Sequence, residues 1–277
     1  MTHQDITRQI ISKKSYLCVG LDTDINKIPR FLLEKEYPVF EFNRAIIDAT
    51  VPFAVAYKLN TAFYESLGAA GWISMEMTVD YLKKNYPDVF VIADANRGDV
   101  GNTSRMYALA FLKNMLFDAI TVAPYMGEDS VSPFLSVEGK WIILLAVTSN
   151  KGADDFQMSV QQEGSEHLWE RVVRTAMNWG SLNNMMFVVG GTRPEVFGRM
   201  RKLAPEHFFL VPGIGAQGGD LKAVSSAGLT PKGGLLVNSS RAIIYADGTN
   251  RFAQVAGNMA RDIQKEMEVY LSQSRVI

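Results

Sequence analysis

The sequence has little of several features that would assign a chain to a specialised class. It contains one cysteine among 277 residues, so it forms neither an internal disulfide nor a cysteine-rich zinc site. Its 28 basic and 29 acidic residues give a formal net charge of −1, which provides no global attraction to nucleic acid or to an anionic membrane. A hydrophobic content of 47% at this low net charge excludes an intrinsically disordered chain.

Long apolar runs are also missing. The longest, residues 141–147, is far shorter than the roughly 20 residues that a membrane-spanning helix needs. The first residues, MTHQDITRQIISKKSYLCVGLD, lack an uninterrupted apolar core followed by a small-residue cleavage site, so they do not resemble a secretory signal. We therefore expect a cytoplasmic protein.

The sequence does contain a series of short apolar segments separated by stretches with helical spacing. Most are rich in Val, Ile, Leu and Phe with little alternation, which is typical of strands buried on both faces. The predicted strands are residues 16–21, 53–57, 89–93, 119–122, 141–147, 185–189, 208–211 and 235–237. Eight such strands alternating with helices predict the α/β class and a (β/α)8 TIM barrel. A doubly wound open sheet is the structural alternative, and it usually has fewer strands.

No linker rich in Ser, Gly or Pro divides the chain, so we expect a single barrel domain over residues 1–277, with residues 1–14 forming a helix before strand one. The last helical stretch, residues 252–271, carries Val255, Met259, Ile263 and Met267 at four-residue steps. This spacing predicts that these four side chains face the core. Residues 149–166 form a long polar stretch, in which we expect segment 161–164 to belong to a mobile lid.

Polar residues follow the ends of six predicted strands, which is where barrels of this kind place their chemistry. In strand order they are Asp22; Lys58 and Asn60; Asp94, Asn96 and Asp99; Thr148, Ser149 and Asn150; Pro212 and Gly213; and Ser239, Ser240 and Arg241. One polar strand end is usually only a loop. Six that converge on one face of a barrel indicate a functional site.

The segment VPGIGAQGGD, residues 211–220, formally matches a dinucleotide fingerprint through Gly213, Gly215 and Gly218. That fingerprint belongs to the first βαβ unit, whereas this segment follows strand seven. In barrels the loops after strands seven and eight often bind phosphate, and here Gln217 and Arg241 would add side-chain donors to the backbone amides. The alternative is a glycine-rich turn beside a surface arginine.

The pattern D-x-N-x-x-D from Asp94 to Asp99 has several interpretations when taken alone. It fits an Asx-rich turn, or a helix N-terminus capped by Asp99. Two carboxylates and an amide are also hard oxygen ligands that suit a divalent metal ion.

Six motifs together resemble the orotidine 5′-phosphate decarboxylase family, especially its longer-chain bacterial branch. They are GLDTD at 20–24, YKLN at 57–60, DANRGDVGNT at 94–103, VTSN at 147–150, PGIGAQGG at 212–219 and SSRAI at 239–243, in order across nearly the whole chain. The resemblance implies a homodimeric (β/α)8 lyase that uses neither a cofactor nor a metal ion. Its reaction converts orotidine 5′-monophosphate into uridine 5′-monophosphate and CO2, the last step of de novo pyrimidine nucleotide synthesis.

The resemblance also implies roles for individual residues. The implied catalytic positions are Lys58, Asp94, Asn96 and Asp99, and the implied substrate-binding positions are Asp22, Asn60, Thr103, Ser149, Pro212, Gln217, Ser240 and Arg241. Asp22 and Lys58 would bind ribose hydroxyls, and Asp94 would lie beside the departing carboxylate. Asp99 and Thr103 would complete the site of the partner subunit. Ser149 would contact the pyrimidine edge, while Gln217 and Arg241 would hold the phosphate.

Asn96 departs from the family pattern, which has lysine at this position. In the family that lysine pairs with the aspartates and donates the proton that replaces CO2 on the ring. Breaking the carbon–carbon bond leaves electron density on a ring carbon, which a fixed cation stabilises and an ammonium group can protonate. Asparagine is neutral and donates no proton at ordinary pH. We therefore predict a chain that folds, dimerises and binds nucleotide but turns over slowly.

Two other functions remain open from the sequence. A sugar-phosphate decarboxylase of the same barrel superfamily shares the D-x-K-x-x-D pattern but uses magnesium, and the placement of Asp22 and Lys58 favours the nucleotide enzyme instead. A non-catalytic protein would bind uridine 5′-monophosphate without turnover. Three origins of Asn96 also remain open: a deliberate substitution, a natural variant and a relative with a different reaction.

Overall fold

The computed structural model describes residues 1–160, 165–214 and 219–277. The strands are β1 Leu17–Gly20, β2 Ala54–Asn60, β3 Phe90–Arg97, β4 Ala119–Val122, β5 Trp141–Val147, β6 Met185–Val189, β7 Phe209–Val211 and β8 Leu235–Ser239. The α-helices are α1 His3–Lys13, α2 Pro38–Thr50, α3 Thr61–Glu65, α4 Ala69–Asn85, α5 Gly101–Ala108, α6 Glu128–Leu135, α7 Ala153–Phe156, α8 Leu168–Ala176, α9 Pro194–Leu203, α10 Leu221–Gly228, α11 Arg241–Ile244 and α12 Phe252–Gln273. A 3-10 helix covers Arg30–Glu34, and a π-helical turn, Leu109–Asn114, extends α5.

The eight strands form a closed parallel barrel in the order β1 to β8, so the predicted (β/α)8 fold is confirmed and the open-sheet alternative is wrong. The barrel closes where β1 pairs with β8, with Cys18 opposite Asn238. Side chains of the strands are buried almost without exception, because helices cover the outer face and the interior is packed. Parallel closure brings the carboxyl ends of all eight strands to one rim.

The predicted bounds of β4, β5 and β6 match the structure, whereas β2 and β3 extend beyond their predicted ends. β2 continues to Asn60 and β3 continues to Arg97. The prediction ended each strand at the last apolar residue. Both strands instead carry ionic side chains, Lys58 and Asp94, at positions that line a cavity at the rim.

The opposite end of the barrel is covered by α1. The ring of His3 packs against Phe208 with ring centroids 4.6 Å apart. The indole N–H of Trp141 donates a hydrogen bond to the carbonyl oxygen of Met1 at 2.8 Å. Because the amino-terminal end is closed in this way, the carboxyl rim of the strands is the face on which a ligand can reach the barrel interior.

The apolar stripe predicted for the last helix is confirmed only in part. Met267 is buried as predicted, Val255 and Ile263 are partly buried, and Met259 is exposed. The other buried side chains of α12 are Phe252, Ala256, Ala260 and Leu271. Near Gly257 the helix packs closely on α2, because a side chain added at Gly257 would lie 2.8 Å from the carbonyl oxygen of Ala49. Small residues are therefore required at that contact.

None of the helices in the described residues is both long and apolar enough to span a membrane.

Candidate active site

A cavity of about 170 Å³ opens at the carboxyl rim of the barrel. Its lining comprises Asp22, Lys58, Asn60, Asp94, Pro212, Gly213, Ile214, Asn238, Ser240 and Arg241. Seven of these ten residues belong to the site predicted from the sequence; Gly213, Ile214 and Asn238 do not. The lining joins Asp22, just after β1, and residues of β2 and β3 to Asn238 of β8 and to residues that follow β7 and β8. One cavity therefore holds both an ionic cluster and an arginine.

Lys58 is the centre of the ionic cluster. Its ammonium nitrogen lies 2.7 Å from Oδ2 of Asp94 and 3.2 Å from Oδ1 of Asp22, and the residue is 3% exposed. Burial alone would lower the pKa of Lys58, but the carboxylates of Asp94 and Asp22 outweigh burial and raise the pKa well above its ordinary value. The side chain is therefore a fixed cation that holds its proton strongly.

The strand register explains how these three groups meet. Lys58 pairs with Gly20 on β1, two residues before Asp22, and Asn60 pairs with Asp94 on β3. Asp22 and Asp94 therefore flank β2 from both sides. Gly20 is required at this point because a Cβ there would lie 1.8 Å from Oγ of Ser240. The absence of a side chain lets the segment after β8 approach β1.

A hydroxyl group on β4 supports the Asp94 side of the cluster. Oγ1 of Thr121 donates to Oδ1 of Asp94 at 3.1 Å. The same oxygen accepts hydrogen bonds from the backbone amides of Ala95 at 2.9 Å and Asn96 at 2.8 Å. The β3–β4 pairing shifts register between Ala93 and Arg97, so the Thr121 hydroxyl supplies the hydrogen bonds that regular pairing would supply there.

Asn96 lies at this irregularity and does not line the cavity. It is exposed, and its φ of +45° lies in the left-handed region. Asparagine tolerates that region better than most residues because its short polar side chain can bond locally. Neighbouring Arg97 forms an ion pair with Glu65 and lies over the ring of Tyr107 at 5.2 Å, so it braces β3 and is not part of the cavity lining.

Asp99 and Thr103, predicted to serve a partner subunit, also lie outside the cavity of their own chain. Both are partly exposed. Oδ1 of Asp99 accepts a hydrogen bond from the backbone amide of Val100 at 2.7 Å. The backbone amide of Asp99 donates one to Oγ of Ser104 at 3.1 Å. These contacts fix the turn that leads into α5.

Ser149, predicted to contact a pyrimidine, follows β5 and is not part of the cavity lining. Its carbonyl oxygen accepts a hydrogen bond from the hydroxyl of Thr192 at 3.2 Å. Oγ1 of Thr148 donates to Oδ1 of Asn150 at 2.6 Å and accepts from Nε2 of Gln157 at 2.9 Å. The expected lid segment, residues 161–164, lies outside the described residues.

At the end of the cavity where phosphate binding is predicted, Pro212 and Ser240 line the cavity together with Arg241. Gly213 has a φ of +92°, a conformation that favours glycine, at the point where the chain leaves β7. Gln217, the other predicted phosphate ligand, lies outside the described residues together with the rest of segment 215–218.

Asn238 and Thr121 are site residues that the sequence interpretation missed. Asn238 lines the cavity, and its Nδ2 lies 3.1 Å from Oγ of Ser240, while its Oδ1 has no hydrogen-bond partner among the described residues. A detectable signal existed for Asn238, since it is the one amide within the apolar run LLVNS of β8. Thr121 had no such signal, because threonine is common in strands.

Comparisons with known proteins identify the family and agree with the barrel fold. The family model for the orotidine 5′-phosphate decarboxylase / HUMPS family matches residues 15–254. The chain is 58% identical to an orotidine 5′-phosphate decarboxylase of Phocaeicola vulgatus, over 99% of this chain and 100% of that protein. It is 56% identical to the Parabacteroides distasonis enzyme of the same name, over 100% and 99%. Among solved structures, an OMP decarboxylase of Leishmania donovani has a TM-score of 0.82 and 34% identity, with 98% of both chains covered.

Proposed function

The chain belongs to the orotidine 5′-phosphate decarboxylase / HUMPS family, and from this we infer that it decarboxylates orotidine 5′-monophosphate to uridine 5′-monophosphate in pyrimidine biosynthesis. The structural observation that carries the inference is the position of Lys58 between Asp22 and Asp94, in the same cavity as Arg241. The ionic cluster suits a reacting ring and its ribose, and the arginine suits a phosphate group. The sugar-phosphate alternative is not favoured, because the relatives named above match over their full length.

The reaction breaks one carbon–carbon bond and leaves its electron pair on a ring carbon. We propose that the Lys58 ammonium group stabilises this developing negative charge, because it is fixed in place and largely shielded from water. Asp94 would lie beside the substrate carboxylate, where repulsion between the two negative charges is relieved as CO2 leaves. Such an interaction accelerates the reaction because it is less unfavourable in the transition state than in the bound substrate.

The remaining requirement is a proton for the ring carbon. Lys58 is a poor source, because its two carboxylate neighbours raise its pKa and hold the proton on nitrogen. Asn96 carries no acidic proton. We propose that, with no ammonium group at position 96, solvent water supplies the proton, which lowers the rate by about 10²–10⁴, so that nucleotide binding persists while turnover is slow.

We also propose that the chain forms a homodimer in which Asp99 and Thr103 reach the partner's cavity. The surface around them supports this, since Val100, Met106 and Tyr125 are large apolar side chains that are strongly exposed, with Tyr125 at 91%. The segments that carry Val100 and Tyr125 are joined by the hydrogen bond from the amide of Ala123 to the carbonyl oxygen of Arg97, and exposed apolar side chains on adjacent segments mark an interaction surface. We propose a second copy of the chain as the partner, because its Asp99 and Thr103 would complete a cavity that the same two residues of the first copy do not line.

Two measurements on the same preparation test the proposed function. Calorimetric titration with uridine 5′-monophosphate should give saturable binding, and Arg241→Gln should weaken it by at least tenfold, as expected for one lost charged hydrogen bond. Decarboxylation of orotidine 5′-monophosphate should be slow in the native chain and much faster in Asn96→Lys.

The outcomes separate the candidate functions. Binding without turnover, even in Asn96→Lys, would favour a non-catalytic nucleotide-binding protein. Absence of binding to the native chain and to Asn96→Lys would overturn the assignment altogether. Asn96→Gln is the matched control, because it lengthens the side chain without adding a charge and should leave the rate low.

A further inference from the structure

The hydroxyl group of Tyr245 bridges the backbone that carries Asp22. It donates a hydrogen bond to the carbonyl oxygen of Asp22 at 3.0 Å and accepts one from the backbone amide of Asp24 at 2.6 Å. Two bonds from one hydroxyl hold the segment on both sides of Thr23. The backbone of Asp22, and with it the direction of its carboxylate, is therefore fixed by a residue distant in sequence.

Tyr245 is well placed to act as such a brace. It directly follows α11, whose first residue, Arg241, lines the cavity. Its ring stacks on Phe42, with centroids 6.0 Å apart and an angle of 24° between the planes. Burial raises the pKa of Tyr245 to about 12, so the hydroxyl keeps its proton and remains a donor at neutral pH.

Buried side chains hold the same segment from its other side. The hydroxyl of Tyr64 donates to the carbonyl oxygen of Leu21 at 2.9 Å, and Thr23 donates to Oδ1 of Asn43 at 2.6 Å. Nδ2 of Asn43 donates in turn to the Tyr64 hydroxyl at 2.9 Å. The segment therefore has little freedom, and the Tyr245 hydroxyl is the part of this framework nearest to the Asp22 carbonyl.

We propose that Tyr245 is a positioning residue that sharpens recognition of one ribose hydroxyl by holding Asp22. The proposal rests on the proposed function, in which Asp22 and Lys58 bind ribose hydroxyls. Oδ1 of Asp22 faces Lys58, which leaves the other carboxylate oxygen without a hydrogen-bond partner among the described residues. A ligand hydroxyl can bond to that oxygen only within a narrow range of distance and angle, so small movements of the Asp22 backbone weaken recognition.

Equilibrium titration of Tyr245→Phe tests this without requiring turnover. The ligands are uridine 5′-monophosphate and its 2′-deoxy and 3′-deoxy analogues, and Asp22→Asn identifies which hydroxyl Asp22 recognises. In the native chain the analogue lacking that hydroxyl should bind about tenfold more weakly or worse. The ratio of the affinity for uridine 5′-monophosphate to the affinity for that analogue should fall at least threefold in Tyr245→Phe. The affinity for the deoxy analogue itself should change little.

Controls distinguish positioning from a general loss of stability. Tyr270→Phe removes a hydroxyl whose one hydrogen bond within the described part of the chain is to Glu266, and it should leave the affinity ratio unchanged. Tyr64→Phe loosens the segment from the other side and should lower the ratio as Tyr245→Phe does, which provides a second test if one variant folds poorly. An unchanged ratio in folded Tyr245→Phe overturns this inference alone. Absence of nucleotide binding by the native chain overturns the proposed function, and this inference with it.

Discussion

The backbone amide of Asn96 donates a hydrogen bond to Oγ1 of Thr121 at 2.8 Å, and Asn96 holds this contact with a left-handed φ of +45°. The same hydroxyl donates to the Asp94 carboxylate. One threonine on β4 therefore sets the orientation of Asp94 and the path of the backbone from which side chain 96 projects. Both positions belong to the predicted catalytic set, so the chemistry of this site depends on a local departure from regular strand geometry.

The left-handed backbone predicts opposite effects of Asn96→Lys on activity and stability. Lysine restores an ammonium group and should raise decarboxylation by about 10²–10⁴. Lysine tolerates a positive φ less well than asparagine, so we expect the free energy of unfolding to fall by about 1 kcal/mol. Urea unfolding measures the second effect. Asn96→Gly relieves the strain and should be at least as stable as the native chain while remaining slow. A lysine variant with unchanged stability would contradict the strain argument.

Thr121→Val should impair both folding and turnover. Valine has nearly the shape of threonine but leaves the buried amide of Ala95 and the amide of Asn96 without their acceptor, and we expect a loss of about 2 kcal/mol. In the Asn96→Lys background the rate should also fall, because Asp94 loses a donor that fixes its carboxylate. Thr121→Ser keeps the hydroxyl and should retain most of the rate. Equal rates for the valine and serine variants would show that the hydroxyl does not position Asp94.

The exposed apolar surface predicts a dimer that a charge can disrupt. Analytical ultracentrifugation of the native chain should give twice the chain mass of 30.8 kDa. Tyr125→Asp should shift the mass toward the monomer, because an interface cannot bury an unpaired carboxylate without cost. Phe156→Asp is the control, since Phe156 is also exposed but lies on α7, after β5. A monomeric native chain would contradict the predicted role of Asp99 in a partner's site.

The burial of His207 predicts that the folded protein loses stability in mild acid. Burial, reinforced by the positive charges of Arg201 and His3 and opposed by Glu206, lowers the pKa of His207 to about 4. In the unfolded chain the pKa is about 6.5, so between these values the unfolded state binds a proton that the folded state does not. As pH falls from about 6.5 to 4, this residue should therefore cost up to about 3 kcal/mol of stability.

The test is urea unfolding of His207→Phe and the native chain across that range. The variant keeps a ring beside Phe187 but has no group that titrates, so its stability should depend less steeply on pH. Parallel pH dependences in the two proteins would exclude His207 as the source.

Much of the fold could be predicted from the sequence because buried parallel strands are locally apolar. The bounds of β4, β5 and β6 followed directly from that pattern. β2 and β3 were cut short because Lys58 and Asp94 are ionic, and ionic residues are buried only when partners are present. Those partners come from neighbouring strands. The buried face of α12 was predicted only in part for a similar reason, since only the approach of α2 requires small residues near Gly257.

The sequence by itself determined the barrel, the kinds of side chain at the strand ends and the neutral asparagine at position 96, because each is a property of local pattern or residue identity. Only the tertiary structure decided which of these groups meet. It brought Asp22 and Asp94 to either side of Lys58, left Asn96 and Asp99 outside the cavity of their own chain, and placed Tyr245 and Thr121 behind the carboxylates. The physical reason is that strand register and barrel closure are set by pairing between distant segments, and a hydrogen bond forms only where that pairing brings its two atoms together.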